Sequence, residues 1–278
     1  MVAFVSAGPD DGIPLIAHHG TPGAGITYQP FVDAAAERGL RYVAYSRPGY
    51  AGSPRAEGRT VAECAPDVAG ILDQLGAERC YTYGWSGGGP HALACAALLG
   101  DRVSAAAAIA GVAPWDADGL DWRAGMGAEN VAEFAAMEAG PDALRAFLEQ
   151  ARAGLGDLTG EQVATALGDL IGEADRRVLS GDFAEHLAEL IRGGVAAGTD
   201  GWFDDDLAFR EPWGFDLGKI AVPVTIWQGD EDRMVPPAHG RWLAERIPGA
   251  KAELRPGQGH LSIAVDCFGE ILDDLLAG

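Results

Sequence analysis

Lysine and cysteine are both scarce in this chain of 278 residues. Only Lys219 and Lys251 are lysines, so arginine supplies nearly all of the 20 basic residues. Acidic residues number 41, and the formal net charge is −21. An anionic surface of this kind repels a phosphate backbone, so we do not expect nucleic acid as a partner.

The four cysteines lie far apart in the sequence, with no CxxC pair and no zinc-type spacing of Cys and His. We therefore predict free thiols, a reducing cytoplasmic environment, and neither a metal nor another cofactor. No apolar run approaches the roughly 18 residues that span a bilayer, and the first dozen residues lack the pattern of a secretion signal. A cytoplasmic protein without membrane contact is the expected class.

Short apolar runs alternate with longer amphipathic stretches over the first 112 residues and again after Pro223. The apolar runs are typical of buried strands. Strands are predicted over Leu15–His18, Tyr42–Tyr45, Tyr81–Tyr83, Ala105–Ala110, Val224–Gln228 and Ala252–Leu254. This order predicts the α/β class, with a mostly parallel central sheet and helices on both of its faces.

The region from 113 to 213 contains no convincing strand. Its apolar residues recur at helical intervals, which predicts about four helices inserted between two strands of the sheet. We therefore divide the chain into a core, residues 1–112 and 214–278, and a helical cap, residues 113–213. Within the cap, the run Asp204–Asp206 is expected to be a solvated turn or the start of a helix.

The pattern Gly84-Trp85-Ser86-Gly87-Gly88 follows a predicted strand and opens a predicted helix. It fits a nucleophile elbow, a strained turn that requires small residues two positions either side of the serine. A hydroxyl there projects above the sheet, close to the N–H groups of the new helix. A glycine-rich phosphate turn is disfavoured, because a dinucleotide motif needs glycine at position 86 and no Gly-Lys-Ser/Thr follows.

A serine hydroxyl becomes a nucleophile only when a base takes its proton. Among the six histidines, His260 is the strongest candidate. It follows the last predicted strand, and ligands meet α/β sheets at the carboxyl ends of strands. We expect His91 to pack against the sheet and His239 to lie at the surface or at a helix end.

The base also needs a carboxylate that holds its tautomer and stabilises the imidazolium. Asp230, Glu231 and Asp232 compete for this role, since all three follow the predicted strand Val224–Gln228. Asp230 and Glu231 are expected to be turn or helix-cap acids. The serine, the acid and the histidine follow one another along the chain, and each lies at the end of a predicted strand. Chance is a poor explanation for three such signals in this order.

The loop from His18 to Gly23 follows the first core strand. A tetrahedral intermediate needs N–H donors already in place, and the loss of one typically costs about 3 kcal/mol of barrier. Pro22 has no N–H, so the main-chain N–H groups of Thr21 and Gly87 are the predicted oxyanion donors. A plain Gly/Pro turn is the alternative. His19 is expected to support the loop.

At these positions the sequence resembles the α/β-hydrolase superfamily, in particular capped serine hydrolases that include proline iminopeptidase-like enzymes and esterases. The matching segments are residues 19–23, 46–53, 84–88, 229–236 and 259–260. The resemblance implies a triad of Ser86, Asp232 and His260, because the family's acid ends a Gly-x-x-Asp loop and its order is serine, acid, histidine. It also implies that Thr21 supplies the oxyanion donor after the His-Gly pair, and that residues 46–53 form a structural loop.

Two features depart from that family. Its members usually have two further strands before the His-Gly loop, whereas only about a dozen residues precede Leu15 here. We expect one short strand near Val2–Val5 and an exposed sheet edge, where a second copy of the chain can pair to form a homodimer. The cap carries no motif that identifies a substrate.

We expect the cap to exclude water and to shape an aromatic-lined, largely apolar pocket for a small-molecule substrate. Trp85, His19 and Trp115 are the candidate pocket residues. The leading hypothesis is hydrolysis of carboxylic esters of small molecules through an acyl-enzyme. The alternatives are a proline iminopeptidase-like aminopeptidase, an acyltransferase or perhydrolase with the same triad, and a non-catalytic ligand-binding protein.

Overall fold

The central sheet has seven strands, seen in a computed structural model that describes residues 1–278. The strands are β1 (Phe4–Ala7), β2 (Ile13–His18), β3 (Leu40–Tyr45), β4 (Cys80–Trp85), β5 (Val103–Ile109), β6 (Val224–Gly229) and β7 (Lys251–Arg255). They lie in the order β1-β3-β2-β4-β5-β6-β7, and all neighbours are parallel except β1 and β3. The predicted mostly parallel sheet is confirmed.

Twelve α-helices accompany the sheet. They are α1 (Gln29–Ala36), α2 (Cys64–Leu75), α3 (Gly89–Leu98), α4 (Ala128–Ala139), α5 (Pro141–Leu155), α6 (Gly160–Ala166), α7 (Glu173–Val178), α8 (Gly181–Val195), α9 (Asp200–Arg210), α10 (Pro237–Arg246), α11 (Ser262–Asp266) and α12 (Phe268–Ala277). Helices α4 to α9 lie between β5 and β6, so the insertion has six α-helices where the sequence predicted about four. The difference arises because α6 and α7, with 7 and 6 residues, are too short to show a clear period.

Side chains of the strands alternate between two apolar layers, as the pleat of a strand requires. In β2, Ile16 packs in one layer with α2 and α3, whereas the adjacent Leu15 packs in the other with α1 and α12. Both side chains are fully buried. Helices therefore cover both faces of the sheet and leave the loops at the ends of the strands free to form a site.

A single strand precedes β2. It begins at Phe4, two residues later than expected, and pairs antiparallel with β3 through Phe4 and Tyr45. As the outermost strand it leaves one edge of the sheet unpaired, with Val5 exposed. Pairing of this edge with a second copy of the chain stays a prediction. None of the helices combines the length and apolarity needed to cross a membrane.

Helix α8 packs the cap onto the core. Its residues Phe183, Leu187 and Ile191 recur at intervals of four residues and are buried. They form one apolar cluster with Val163 of α6 and with Leu261, which lies in the loop after β7. The cap therefore packs directly against a loop that follows a core strand.

Candidate active site

Ser86 lies at the turn between β4 and α3. Its backbone φ is 56°, in the left-handed region, which costs a residue with a side chain about 1–3 kcal/mol. The turn is so tight that a Cβ at Gly84 would overlap the carbonyl group of Gly88. The strained serine and the small flanking residues match the geometry that the GxSxG pattern predicts.

His260 lies in the loop between β7 and α11, and its ring contacts Asp232 from the loop after β6. His260 Nδ1 lies 2.9 Å from Asp232 Oδ2, so this nitrogen donates its proton to the carboxylate. The neutral ring then has its other nitrogen, Nε2, free to accept a proton. Both residues are buried, with 1% and 3% of their surface exposed.

Asp232 is held in place by donors on both of its oxygens. Oδ1 accepts the main-chain N–H groups of Met234 at 2.9 Å and Val235 at 2.8 Å. Oδ2 accepts from the buried Gln228 Nε2 at 3.1 Å, in addition to the His260 ring. Gln228 is a contributor to the site that the sequence pattern did not single out.

The two competing acids point elsewhere. Asp230 and Glu231 are both exposed. Asp230 accepts the main-chain N–H of Gly257 at 2.7 Å, which braces the neighbouring loop. Of the three acids that follow β6, the structure therefore brings only Asp232 to the His260 ring.

Burial and charge act in opposite directions on His260. Burial lowers its pKa, whereas the charge and hydrogen bond of Asp232, together with the charge of Asp175, raise it. The charges outweigh burial, so the pKa of His260 lies above its ordinary value of 6.5. The other five histidines all have lowered pKa values, chiefly because of burial.

Ser86 and His260 line a single cavity of about 600 Å³. No hydrogen bond joins the Ser86 hydroxyl to the His260 ring in this structure, and such bonds often form only when substrate is bound. Cap helices supply much of the apolar wall. The polar cap residues on the wall are Glu129, Asn130, Glu133 and Gln150. Lysine and arginine are absent from the lining.

The loop after β2 runs beside the nucleophile turn. A Cβ at Gly20 would lie 3.9 Å from Ser86 Oγ, and a Cβ at Gly87 would overlap the Thr21 hydroxyl. The N–H of Thr21 donates to no acceptor within the protein. An unpaired N–H close to the nucleophile is what an oxyanion site requires. The structure thus places both predicted donor residues, Thr21 and Gly87, beside Ser86.

Asp205 of α9 joins the cap to this loop. The fully buried carboxylate accepts from the Thr21 hydroxyl at 2.6 Å, Arg47 Nη2 at 2.6 Å and the Tyr50 hydroxyl at 2.8 Å. Arg59 adds a second ion pair at 2.5 Å. Burial opposes ionisation of Asp205, but the two arginines outweigh it and hold the pKa of this carboxyl well below its usual range.

Arg47 and His19 hold the loop after β2 through hydrogen bonds to its main chain. Arg47 is completely buried and donates to the carbonyl oxygens of His19 at 2.5 Å and Gly20 at 3.1 Å. His19 Nδ1 donates to the Gly20 carbonyl at 2.7 Å, and its Nε2 accepts the main-chain N–H of Arg47 at 3.2 Å. His19 therefore supports the loop, as expected. The prediction that it also lines the substrate pocket was wrong, because these hydrogen bonds hold its ring outside the 600 Å³ cavity.

The expectation of a solvated acidic run was wrong. Asp204–Asp206 lies within α9, and each of the three residues is at most 1% exposed. Asp204 pairs with Arg55 at 2.8 Å, just as Asp205 pairs with Arg47 and Arg59. The partners are about 150 residues away along the chain, so the sequence around the run carries no sign of them.

The third acid of the run forms a carboxyl pair at the cavity wall. Asp206 is close enough to Glu133 in α4 for the two carboxyl groups to interact electrostatically, and Trp202 Nε1 donates to Glu133 Oε1 at 2.5 Å. Burial raises the pKa of both carboxyl groups, and the charge of Glu133 raises that of Asp206 further. This arrangement favours one proton shared by the pair. Sequence reasoning did not identify Glu133.

Two further expectations about aromatic and histidine side chains need correction. Trp85 lines the cavity, but Trp115 does not, because its ring packs against Trp122 with centroids 4.8 Å apart. His239 lies in the first turn of α10, as one of the two expected positions, but it is buried and not at the surface. Its Nε2 donates to the Trp122 carbonyl at 2.8 Å, and its Nδ1 accepts the N–H of Ala113 at 3.1 Å, where the cap begins.

Comparison with known proteins assigns the family. A sequence model described as alpha/beta hydrolase fold matches residues 13–266. With the sheet order and the nucleophile turn described above, this match shows that the chain belongs to the alpha/beta hydrolase fold family. The sequence resemblance to this superfamily is confirmed, and the chain is an enzyme of the hydrolase class.

The named relatives are distant, and some of them align with most of the chain. RutD of Caulobacter sp. (strain K31), which carries a provisional name as a carbamate hydrolase, is 25% identical over 99% of this chain and 94% of that protein. RutD of Variovorax paradoxus (strain S110) matches only 30% of this chain and 32% of that protein, at 37% identity. The bifunctional esterase/perhydrolase DCH of Acinetobacter calcoaceticus is 25% identical over 91% of this chain and 87% of that protein.

The fold has close counterparts among solved structures. An alpha/beta hydrolase fold protein from Nakamurella multipartita superposes with a TM-score of 0.66, at 26% identity, over 100% of this chain and 96% of that chain. The names of these relatives are consistent with the family, while RutD and DCH differ in the reaction that is named.

Proposed function

We propose that this enzyme hydrolyses carboxylic esters of small, uncharged molecules through an acyl-enzyme on Ser86. The observation that carries the proposal is that Ser86 and His260 line one cavity while Asp232 accepts the proton on the far nitrogen of the His260 ring. In that arrangement the neutral ring can take the serine proton on Nε2, and Asp232 stabilises the resulting imidazolium.

The reaction proceeds in two halves. Ser86 Oγ attacks the ester carbonyl carbon while His260 Nε2 takes its proton, and the N–H groups of Thr21 and Gly87 bind the resulting oxyanion. Collapse of this intermediate expels the alcohol, which takes the proton from His260. Water then attacks the acyl-enzyme and gives a proton to His260, which returns it to Ser86 as the carboxylic acid leaves.

The lining of the cavity supports an uncharged substrate. No lysine or arginine faces it, whereas Glu129 and Glu133 do. A carboxylate on the substrate would lose its hydration there without gaining a cation. The volume of about 600 Å³ lies within the range of small-molecule pockets, so a compact ester fits this site better than a polymer does.

A second candidate is peracid formation at the same serine. Its support is DCH, which aligns with 91% of this chain and is named a bifunctional esterase/perhydrolase. Hydrogen peroxide would attack the acyl-enzyme in place of water, releasing a peracid and the free Ser86 hydroxyl. The triad and the oxyanion donors would serve both reactions, so only the choice of acyl acceptor differs.

A third candidate is an aminopeptidase that removes N-terminal proline. Its support is the acidic side of the cavity, where Glu129 and Glu133 favour a substrate ammonium group over a carboxylate. The same Ser86 acyl-enzyme would form, with an amine as the leaving group.

The test is a panel of esters, amides and lactones with neutral, anionic and prolyl acyl groups, assayed on wild type and Ser86→Ala. We expect neutral esters to react fastest and Ser86→Ala to lower kcat at least about a thousandfold. A fluorophosphonate should label Ser86 in the folded enzyme, and His260→Ala should slow the labelling.

Full activity in Ser86→Ala would overturn the proposal. Preference for prolyl arylamides would assign the aminopeptidase instead, and peracid release in an arm with hydrogen peroxide would assign the perhydrolase.

A further inference from the structure

Asp175 is a buried carboxyl group of the cap that lies against the loop of His260. It belongs to α7 and has no exposed surface. Its Oδ1 accepts the main-chain N–H groups of Leu261 at 2.8 Å and Ser262 at 2.9 Å, and its Oδ2 accepts the N–H of His260 at 3.1 Å. One cap side chain therefore binds three consecutive amides that begin at the base of the proposed triad.

The loop brings its backbone unusually close to this carboxyl group. A Cβ at Gly259 would overlap the Asp175 carboxylate, so the approach requires glycine. Ser262 Oγ accepts the N–H of Gly259 at 2.7 Å and closes the turn. Asp175 and Trp85 are the two side chains that hydrogen-bond to the main chain of His260.

We propose that Asp175 is a positioning residue of the active site, which sets the place of the His260 ring relative to Ser86 and Asp232 through the main chain of residues 260–262. This inference rests on the proposed role of His260 as the base. Asp175 belongs to the cap, whereas the triad belongs to the core. The base therefore reaches its working position only while α7 is docked, and the cap completes the catalytic geometry as well as enclosing the substrate.

The charge of Asp175 provides a second effect that can be measured. The charged groups that act on the His260 ring are Asp232, from the loop after β6, and Asp175, from α7, and both raise its pKa. Loss of the Asp175 charge therefore lowers the pKa of His260, so the acid limb of the pH–rate profile moves to lower pH. A side chain that only stabilised the fold would leave this limb in place.

The test compares Asp175→Asn with Asp266→Asn in the intact enzyme. Asparagine keeps the shape of aspartate but has no charge and only one acceptor oxygen. Asp266 is the matched control, because it also joins α11 to α7, accepting from Arg177 at 2.6 Å without touching the main chain of His260. We expect Asp175→Asn to lower kcat about tenfold to a hundredfold, with little change in KM. The acid limb of its pH–rate profile should lie at lower pH than in wild type. Asp266→Asn should stay within about twofold of wild type.

Hydrogen exchange on the wild-type enzyme tests the same contact without a variant. The amide hydrogens of Leu261 and Ser262 should begin to exchange at the same denaturant concentration as those of α7, because both lose their protection when α7 unfolds. Exchange of these two amides while α7 stays protected would overturn the inference. So would a folded Asp175→Asn variant with the kcat and pH profile of wild type. Full activity in Ser86→Ala would instead refute the proposed function, whatever the Asp175 variants do.

Discussion

The indole Nε1 of Trp85 donates a hydrogen bond to the main-chain carbonyl oxygen of His260 at 3.0 Å. The two rings also pack with their centroids 5.6 Å apart. Trp85 directly precedes Ser86, although His260 lies 175 residues further along the chain. The side chain of Trp85 thus connects the turn at Ser86 to the loop that carries His260.

Replacing Trp85 with phenylalanine keeps an aromatic ring but removes the donor. We expect Trp85→Phe to lower kcat/KM about fivefold, because a hydrogen bond of this kind is worth about 1 kcal/mol. Trp242→Phe is the matched control, since Trp242 Nε1 donates to the Asp118 carbonyl at 3.0 Å in a different part of the molecule. Equal losses of ester hydrolysis in the two variants would contradict a specific role for Trp85.

The buried Asp205 is expected to be a main source of stability between the cap and the core. Asp205→Ala leaves Arg47 and Arg59 buried without their carboxylate, so the free energy of unfolding should fall by about 3–5 kcal/mol. Asp200→Ala, in the same helix, removes a half-exposed partner of Arg55 and should cost less than about 1 kcal/mol. Denaturant unfolding of both variants measures the difference. A small effect at Asp205 would show that the cluster is dispensable.

Activity should fall at acid pH with an apparent pKa above 6.5. In the proposed mechanism His260 accepts a proton only in its neutral form, and its raised pKa keeps the ring protonated to a higher pH than in free histidine. Asp232→Asn removes the strongest of the effects that raise this pKa, so the acid limb should move to lower pH while kcat falls about 10⁴-fold. The pH dependence of kcat/KM checks both changes. An unmoved limb in Asp232→Asn would argue against control of His260 by this carboxylate.

Stability should decline as the pH rises through the range in which Glu133 titrates. Its pKa is raised from 4.5 to about 7 in the folded protein, so folding favours the protonated form. The stability that Glu133 contributes is therefore full below pH 4.5 and is lost as the pH rises through about 7. Glu133→Gln should lose less stability than wild type between pH 5 and pH 8, as followed by denaturant unfolding.

The control for this experiment is Glu138→Gln, in the same helix. Glu138 is exposed and pairs with Arg123 on the surface. Its replacement should leave the pH dependence of unfolding as it is in wild type. The same pH dependence in Glu133→Gln and wild type would show that the Glu133–Asp206 pair does not share a proton as described.

Local patterns in the sequence were sufficient to predict the strands of the sheet and the turn at Ser86. The strand Val224–Gln228 was predicted to within one residue, because an unbroken apolar run marks a buried parallel strand. The turn at Ser86 was predicted because its strained geometry depends only on neighbouring small residues. Short helices such as α7 were missed, since 6 residues are too few to establish a period.

The surroundings of each acidic side chain were decided only by the tertiary structure. The residues after β6 left Asp230, Glu231 and Asp232 in competition by themselves, the family resemblance implied Asp232, and the fold brings only Asp232 to His260. Asp205 was expected in water and lies against arginines about 150 residues away. An acidic residue has the same local sequence whether it meets water, a cation or a main-chain amide. Its environment depends on which distant segments meet it in the folded chain, and spacing along the sequence does not encode that.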